Sequence, residues 1–561
     1  MSLQTTTVVS SRGSVRLTFA AAFLSVALAQ TAYAVPGALN GAFASEFHAT
    51  GAGLTWITAI FEIGIVAFEL TFGLLGDLFG RKKLLVAGAG LVVVGAALSA
   101  IAADIGFMIF AQAVIGVGAG LLFPIGLAMV SALTPDRRQR SRVIAKWAGF
   151  LSLGAVISPV MAGLTAQFFT VPAAAPGESA AFSGWRVSYW IIAVVAVALM
   201  AMAAASRDSS SPAGRRLDLP GQVTFALGLI AVLYATVTAV DHGFTHVPVI
   251  VAYIIGVLLL VAFVIIEKRS PAPLLHLELF RNRTFSIAAI VAVTGMFAFL
   301  AICFSTSITV GALAQEPVWV IGVLFVMIQG PAFLLSPIVG RLIHSVQPRW
   351  LLSVGFALIG IAGIWISSFS LGVPARFGGT EWTAFIAPLL VLGVGFALTI
   401  GSVTAVAVNT VPEHQIGMAS ATTSLMRDLG FTLGPVIGSV IAFGLGAAAF
   451  AVPVVAALQG AGLPAEAVQG LSQIPPLAWL SGWDGVVAQF SGEMLASGAP
   501  QAAVDGAAAA LTGAQAEIMG AAGSSLGGGY SVVYLVAGIT AIASAALTLF
   551  IPVRTRAERD A

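Results

Sequence analysis

Apolar stretches of about twenty to thirty residues recur fourteen times along the chain, each long enough to cross a bilayer. They begin near Arg16, Leu54, Leu84, Ile105, Val143, Val187, Leu219, Val247, Phe285, Pro317, Trp350, Trp382, Gly417 and Tyr530. The pattern predicts an all-α membrane protein of fourteen transmembrane helices. At the N-terminus, Arg12 and Arg16 precede an apolar stretch ending in Ala32-Tyr33-Ala34, the layout of a cleavable signal peptide. That stretch runs on toward Leu39, and its removal would leave an odd number of spans, so it is read as the first helix, retained.

The cations check the count. Arg81, Lys82 and Lys83 mark one loop, and Arg137, Arg138, Arg140 and Arg142 the next on that side. Arg207, Arg215 and Arg216 follow, then Lys268, Arg269, Arg281 and Arg283, then Arg349, and last Arg554, Arg556 and Arg559. Arg186 and Arg376 fall on the opposite side. Positive charge stays inside, so both termini are expected in the cytoplasm and the chain in the inner (plasma) membrane. Residues 447–528 contain Glu466, Asp484, Glu493, Asp505 and Glu517 but no Lys or Arg. This reads as a long periplasmic loop of loosely packed short helices, with Gly527-Gly528-Gly529 leading into the last span; the alternatives are a solvated loop or a substrate-collecting cap.

Composition adds exclusions. Hydrophobic residues make up 59% and charged residues 9%, against about 25% charged in soluble domains. The 62 glycines suit membrane helices that pack backbone to backbone. A net charge of +2 implies no nucleic-acid partner. The single Cys303 leaves no disulfide framework, and neither His-x-x-x-His nor Cys-x-x-Cys occurs, so no metal or other cofactor is expected. No Gly-x-x-x-x-Gly-Lys-Ser/Thr nucleotide signature is present, so an ion gradient or the substrate's own gradient must supply the energy.

Between the second and third spans runs Gly73-Leu74-Leu75-Gly76-Asp77-Leu78-Phe79-Gly80-Arg81-Lys82-Lys83. Asp77 and Arg81 can pair across one helical turn, while Gly73 and Gly80 permit close helix approach and a sharp turn. The pattern Gly-x-x-x-Asp-x-x-Gly-Arg-Lys resembles the loop between helices 2 and 3 of the major facilitator superfamily. The resemblance implies a conformational latch for Gly73, Asp77, Gly80 and Arg81. A degraded copy, Gly330-Pro331, Gly340-Arg341-Leu342 and Arg349, follows the tenth span. Together they imply two six-helix halves with two inserted helices: an N-terminal half over residues 1–206, an insert with its linkers over 207–283, and a C-terminal half over 284–561.

Further stretches resemble the fourteen-span drug:proton antiporters of that superfamily. Gly154, Ser158, Pro159 and Gly163 match the antiporter motif of helix 5, with Ser158 and Ala162 as small-for-small changes; packing alone is the other reading of these residues. Gly184-Trp185-Arg186, Leu217-Asp218-Leu219-Pro220-Gly221, Val411-Pro412-Glu413-His414-Gln415-Ile416-Gly417 and Arg427-Asp428-Leu429-Gly430 look similar too. Two positions depart from the family. Gln112 stands where the fourth span usually has the Arg assigned to proton coupling, and the first span offers Gln30 and Thr31 instead of an acid.

The second span supplies acids of its own. Glu62 and Glu69 share a helix face about 10 Å apart, and Glu69 lies about 12 Å from Asp77. An ionised side chain at mid-membrane costs roughly 2.5–3.5 kcal/mol, so two on one face point to a proton or cationic-substrate site. Capping a neighbouring backbone or pairing with a distant Arg is the other reading. Arg427 and Asp428, adjacent on the thirteenth span, point about 100° apart and are expected to have different partners, with a pathway role and a static interhelical pair as the two readings. Lys146 reads as a snorkelling side chain and His344 as interfacial.

These residues point to a secondary transporter: proton-coupled efflux of amphipathic drugs by alternating access, with Glu62, Glu69, Gln112, Arg427 and Asp428 as candidate pathway residues. The alternative is a facilitator for one metabolite with weak or no proton coupling. Expected partners are a small-molecule substrate, the proton, the lipid bilayer and, as a candidate, a periplasmic adaptor. No nucleophile–base pair or soluble catalytic domain suggests an enzyme.

Overall fold

The computed structural model describes residues 8–9, 14–49, 51–134, 137–172, 181–210, 218–271, 273, 275, 277–373, 379–408 and 416–551. The stretch Val411–Gln415 and Arg12, Arg215, Arg216, Leu217, Arg376, Arg554, Arg556 and Arg559 lie outside the described residues. So do the side chains of Gly417, Arg137, Arg138, Arg140, Arg142 and His344.

Among the described residues seventeen α-helices follow in order: α1 Val15–Glu46, α2 Gly51–Phe79, α3 Arg81–Ala100, α4 Ile105–Ala132, α5 Arg137–Phe169, α6 Trp185–Ala204, α7 Leu219–His242, α8 Val247–Arg269, α9 Arg283–Thr306, α10 Val318–Ser345, α11 Pro348–Ser367, α12 Ile386–Val408, α13 Ile416–Gly460, α14 Ala465–Leu471, α15 Pro476–Ser481, α16 Trp483–Ala496 and α17 Gln501–Thr548. Fourteen of them, α1–α13 and α17, are long and apolar enough to cross a membrane. Two short strands, β1 Val8–Val9 and β2 Ser209–Ser210, pair antiparallel.

Starts and breaks follow side-chain chemistry. Ser14, Asp104, Asp218 and Asn282 accept the first free amides of α1, α4, α7 and α9. Proline opens α8 and α11, where a missing N–H does no harm. A π-helical turn, Ser307–Leu313, extends α9.

Helix α1 packs on α5, α2 and α3 on α4, and α3 on α6. The same pairings recur as α9 on α13, α10 and α11 on α12, and α11 on α17. Each half therefore repeats one six-helix arrangement. Helices α7 and α8 pack on each other, and α7 also lies against α2 and α13, one from each half. Leu229, Leu233 and Val237 of α7 share a buried cluster with Ala59, Ile63 and Val66 of α2 and Leu425 and Val436 of α13.

The halves close on each other at the end of the bundle away from the Asp77 hairpin. There Asn40 of α1 donates to Ser307 Oγ at 3.1 Å, and Ser307 donates to the Gly37 carbonyl. A Cβ at Gly322 of α10 would lie 2.8 Å from the Pro159 carbonyl of α5, and one at Gly163 would lie 2.9 Å from Trp319 Cα. Gly340 lies on the same face of α10 as Gly322, five turns further on. Gly149 lies within about 40° of Gly163 on α5. Among the described residues a Cβ at either would meet nothing within 4 Å, so α5 and α10 part toward the hairpin end.

Beyond the closed end the structure departs from the expected loose loop. Helices α13 and α17 run unbroken for 45 and 48 residues, which is about 68 and 72 Å. They therefore project together past a ~30 Å hydrocarbon layer. The short helices α14–α16 fold back on this stalk, α14 against α13 and α15 and α16 against α17, with Leu477, Trp479 and Leu480 buried. Alanine is the strongest helix former, so an Ala-rich segment extends helices instead of interrupting them. Gly527 and Gly529 sit inside α17, where they lie against the Leu371 and Ala442 carbonyls with no room for a Cβ.

Candidate functional site

The hairpin comes first. Helix α2 continues through Asp77 to Phe79, and the turn is a single residue, Gly80, with φ +100°. An added Cβ there would lie 2.8 Å from Asp208 Oδ2. Gly73 meets only Pro124 at an ordinary 3.8 Å, so no tight approach requires glycine at that position.

Arg81 donates to Asp77 Oδ1 through Nε at 3.1 Å and Nη2 at 2.7 Å, and both residues are buried. Its Nη1 also donates to the Ala128 carbonyl of α4 at 3.1 Å and to Ser209 Oγ at 3.3 Å. The Lys82 amide donates to Asp208 Oδ1 at 3.1 Å. One guanidinium thus ties α2, α3, α4 and the segment following α6. This is a charge-assisted network whose geometry lysine could not reproduce.

The second constellation lies at the α2–α13 seam between the halves. Glu62, 3% exposed, and the half-buried Glu69 interact electrostatically with Arg427 and Asp428. The Tyr33 ring packs 5.5 Å from Phe61, and its phenol lies beside the Glu62 carboxyl. Arg427 and Asp428 do not have separate partners as expected. They bind each other, Nε to Oδ1 at 2.6 Å and Nη2 to Oδ2 at 3.0 Å. The long guanidine arm folds back around the helix, so the 100° between Cβ directions does not prevent the pair. One guanidinium thus faces three carboxyls. Among the described residues no hydrogen bond of good geometry reaches the buried Glu69 Oε2, although the Asp428 carboxyl lies close enough to interact with it.

Gln112 is not part of this cluster. Its Nε2 donates to Tyr189 of α6 at 2.9 Å and to Ser99 of α3 at 3.3 Å, which places it in the packing within one half. Thr31 bridges the Ala27 and Gly154 carbonyls, and Gln30 is half-buried. Trp185 and Arg186 of the Gly-Trp-Arg segment both bind Glu46, at 2.5 and 2.6 Å, and so fix the end of α1 to the start of α6. Arg349 donates to the Ile551 carbonyl, and Lys146 is exposed.

The helix 5 motif has two partners. Gly154 sits directly against the Ala27 carbonyl of α1, while Pro159 and Gly163 face α10 across the seam; Ser158 is buried, and among the described residues its hydroxyl has no partner. Sequence reading missed the counterpart in α13, Gly430-x-x-x-Gly434-Pro435-x-x-Gly438, which repeats this spacing and packs on α9 at Val293, Phe297 and Ala301. Comparing the fifth and thirteenth spans would have found it. It also missed Gln222 of α7, which hydrogen-bonds the Thr71 hydroxyl and the Ala67 carbonyl of α2. Gln222 lines a narrow crevice, with room for about one water, together with Val66, Ala67, Phe225, Phe263, Leu275 and Leu425.

Comparison with known proteins adds lineage to this geometry. A family profile described as Major Facilitator Superfamily matches residues 22–435, ending within α13 before the stalk. Multidrug resistance protein Stp of Mycobacterium tuberculosis is 27% identical over 397 residues, 70% of each chain. Puromycin resistance protein pur8 of Streptomyces alboniger is 27% identical over 405 residues, 70% of this chain and 75% of its own. Among solved structures, a POT family transporter in complex with 5-aminolevulinic acid aligns with TM-score 0.56 and 12% identity. The alignment covers 76% of this chain and 91% of that one, a likeness of fold alone.

Proposed function

This chain belongs to the major facilitator superfamily and is a multi-pass membrane transporter, and on that premise we propose that it exports amphipathic toxic compounds in exchange for protons. It has the fold of that superfamily, two six-helix halves with two inserted helices. The names of its relatives, resistance to drugs and to puromycin among them, support efflux as the direction. In this reading the hairpin end faces the cytoplasm of the plasma (inner) membrane, as the distribution of Lys and Arg supports, and the stalk projects outward, within reach of a periplasmic adaptor if one is recruited.

The observation that carries the coupling is the seam cluster. Three carboxyls share one guanidinium in a membrane interior, where an unbalanced charge is costly. Arg427 can neutralise one carboxylate, so the remaining charge is balanced by protons or by a cationic substrate. Because Glu62 and Glu69 belong to one half and Arg427–Asp428 to the other, protonation acts on the interface that must change as the halves rock. Substrate would enter from the hairpin end and displace protons there. The Asp77–Arg81 network would hold the hairpin while the halves are parted.

The test is substrate-driven proton release from purified protein. Changing both Glu62 and Glu69 to Gln should abolish it while substrate still binds. Unchanged release in that double variant would sink the assignment. A metabolite facilitator without coupling is the second reading, favoured by the uncharged Gln112. It predicts efflux that survives a protonophore.

A further inference from the structure

We infer that the α2–α13 seam is also the route by which the coupling proton reaches Glu62 from the stalk end, with the Thr55–Ser439 hydrogen bond as its closed barrier. This rests on the proton-coupled reading and adds residues to it.

On α2, Thr55, Thr58, Glu62 and Glu69 fall within about 60° of one another around the helix. On α13, Asp428, Thr432 and Ser439 fall within about 40°. The two stripes face each other. The Thr55 and Ser439 hydroxyls are hydrogen-bonded at 2.6 Å, and neither residue is exposed. Counting away from that pair along antiparallel helices puts Glu62 level with Thr432, and Asp428 at a height between Glu62 and Glu69. The electrostatic contacts of both glutamates with Arg427 and Asp428 agree with this register.

The stripe continues past the acids toward the closed end, where packing alone would be served by Ala or Val. Thr58, one turn from Glu62 and one from Thr55, is buried, and among the described residues its hydroxyl has no partner. A buried hydroxyl without a partner is a loss that packing does not explain. Thr55 also donates to the Gly51 carbonyl at the start of α2. Hydroxyls one turn apart are bridged by single waters, which can pass a proton along. When the halves part at the stalk end, the Thr55–Ser439 bond breaks. A hydronium ion can then deliver its proton through Thr55 and Thr58 to the Glu62 carboxylate, forming one O–H bond and releasing water. The groups facing Glu62 are Tyr33 of α1, Glu69 of α2, and Arg427 and Asp428 of α13, with no other charged group between it and Thr55 on the α2 stripe.

The experiment uses full-length protein in proteoliposomes, with ethidium as substrate and an entrapped pH dye. Thr58→Val keeps shape and removes the hydroxyl. Proton-driven ethidium transport should fall at least tenfold, while ethidium/ethidium exchange, which does not use the proton's return leg, stays within twofold of wild type. Equal loss of both, or loss of neither, overturns the route. Thr55→Cys with Ser439→Cys, in a Cys303→Ala background, should lose transport on oxidation and regain it on reduction; oxidised protein that still transports overturns the barrier. Wild-type transport indifferent to a protonophore would remove proton coupling itself, and that result is distinct from coupled transport unaffected by Thr58→Val.

Discussion

Arg427 and Asp428 are neighbours on one helix, and they hold each other through two charge-assisted hydrogen bonds of 2.6 and 3.0 Å at the interface between the halves. The pair is a poised partner for Glu62 and Glu69, which lie across the seam. Asp428→Asn would free the guanidinium to bind those glutamates directly. The expected outcome is a fall of at least tenfold in proton-driven transport, with protein yield and thermal unfolding little changed. Asp428→Glu should recover part of the rate. A substrate-release assay read at several pH values checks this, and a variant whose pH profile matches wild type would contradict it.

The Arg81 network predicts a contrast between substitutions. Arg81→Lys keeps the charge but loses the planar fork that reaches Asp77, Ala128 and Ser209 together. Removing one member of a buried ion pair typically costs about 3–5 kcal/mol. Arg81→Ala should therefore lower the unfolding temperature in detergent markedly. Arg81→Lys should lower it less while still impairing transport. Equal stability of all three proteins would show that the network is not structural.

Gly80 offers a double-mutant cycle. Its φ of +100° and the 2.8 Å approach of Asp208 to an added Cβ are separate obstacles. Gly80→Ala should cost about 1–3 kcal/mol from backbone strain, with the clash in addition. Asp208→Ala removes the clash together with the acceptor of the Lys82 amide and leaves the backbone strain, so Gly80→Ala should cost less in that background than in wild type, but not nothing. Denaturation of the four proteins measures the coupling.

The fourteen spans were legible in the sequence because bilayer thickness is a strong constraint on a chain. The Asp77–Arg81 pair followed from spacing alone, since residues four apart on a helix are neighbours. The Arg427–Asp428 pair did not, because an angle between Cβ directions takes no account of how far a guanidine arm reaches. The stalk was misread for a different reason. Hydropathy marks where a helix leaves the membrane but not where it ends, and Ala-rich turns of α13 and α17 continue well past that level. Gln112 could not be placed from spacing, because its partners Tyr189 and Ser99 are set by three-helix packing that one sequence does not display.

The insert makes a fourth prediction. Gln222 binds Thr71 and the Ala67 carbonyl, and α7 also packs on α13, so α7 spans the same seam that must flex. Gln222→Leu leaves the apolar contact with α13 intact while unpairing Thr71. Transport should slow several-fold with substrate affinity unchanged, because the ground-state site is not touched. An effect confined to affinity would instead place the nearby crevice in the substrate path.

The closed end gives the last prediction, on the balance of states. Gly163 of α5 and Gly322 of α10 let two backbones approach so closely that an added Cβ would lie 2.9 and 2.8 Å from backbone atoms of the partner helix. Backbone cannot yield as the tip of a flexible side chain can, and overpacking typically costs about 1–3 kcal/mol. That strain exists only while the stalk end is closed, because parting the halves separates α5 from α10. Gly163→Ala should thus raise the population open at the stalk end, by about tenfold for each 1.4 kcal/mol of strain. With Cys303→Ala and Ser439→Cys as background, an impermeant maleimide added from the stalk side reports the change. Labelling of Ser439→Cys should rise at least fivefold when Gly163→Ala is present, and net transport should fall because the state open to the hairpin end is depleted. Gly149→Ala, on the same face of α5 but where nothing lies within 4 Å, should leave both unchanged. Equal labelling with and without Gly163→Ala would mean that the close α5–α10 contact does not gate the stalk end.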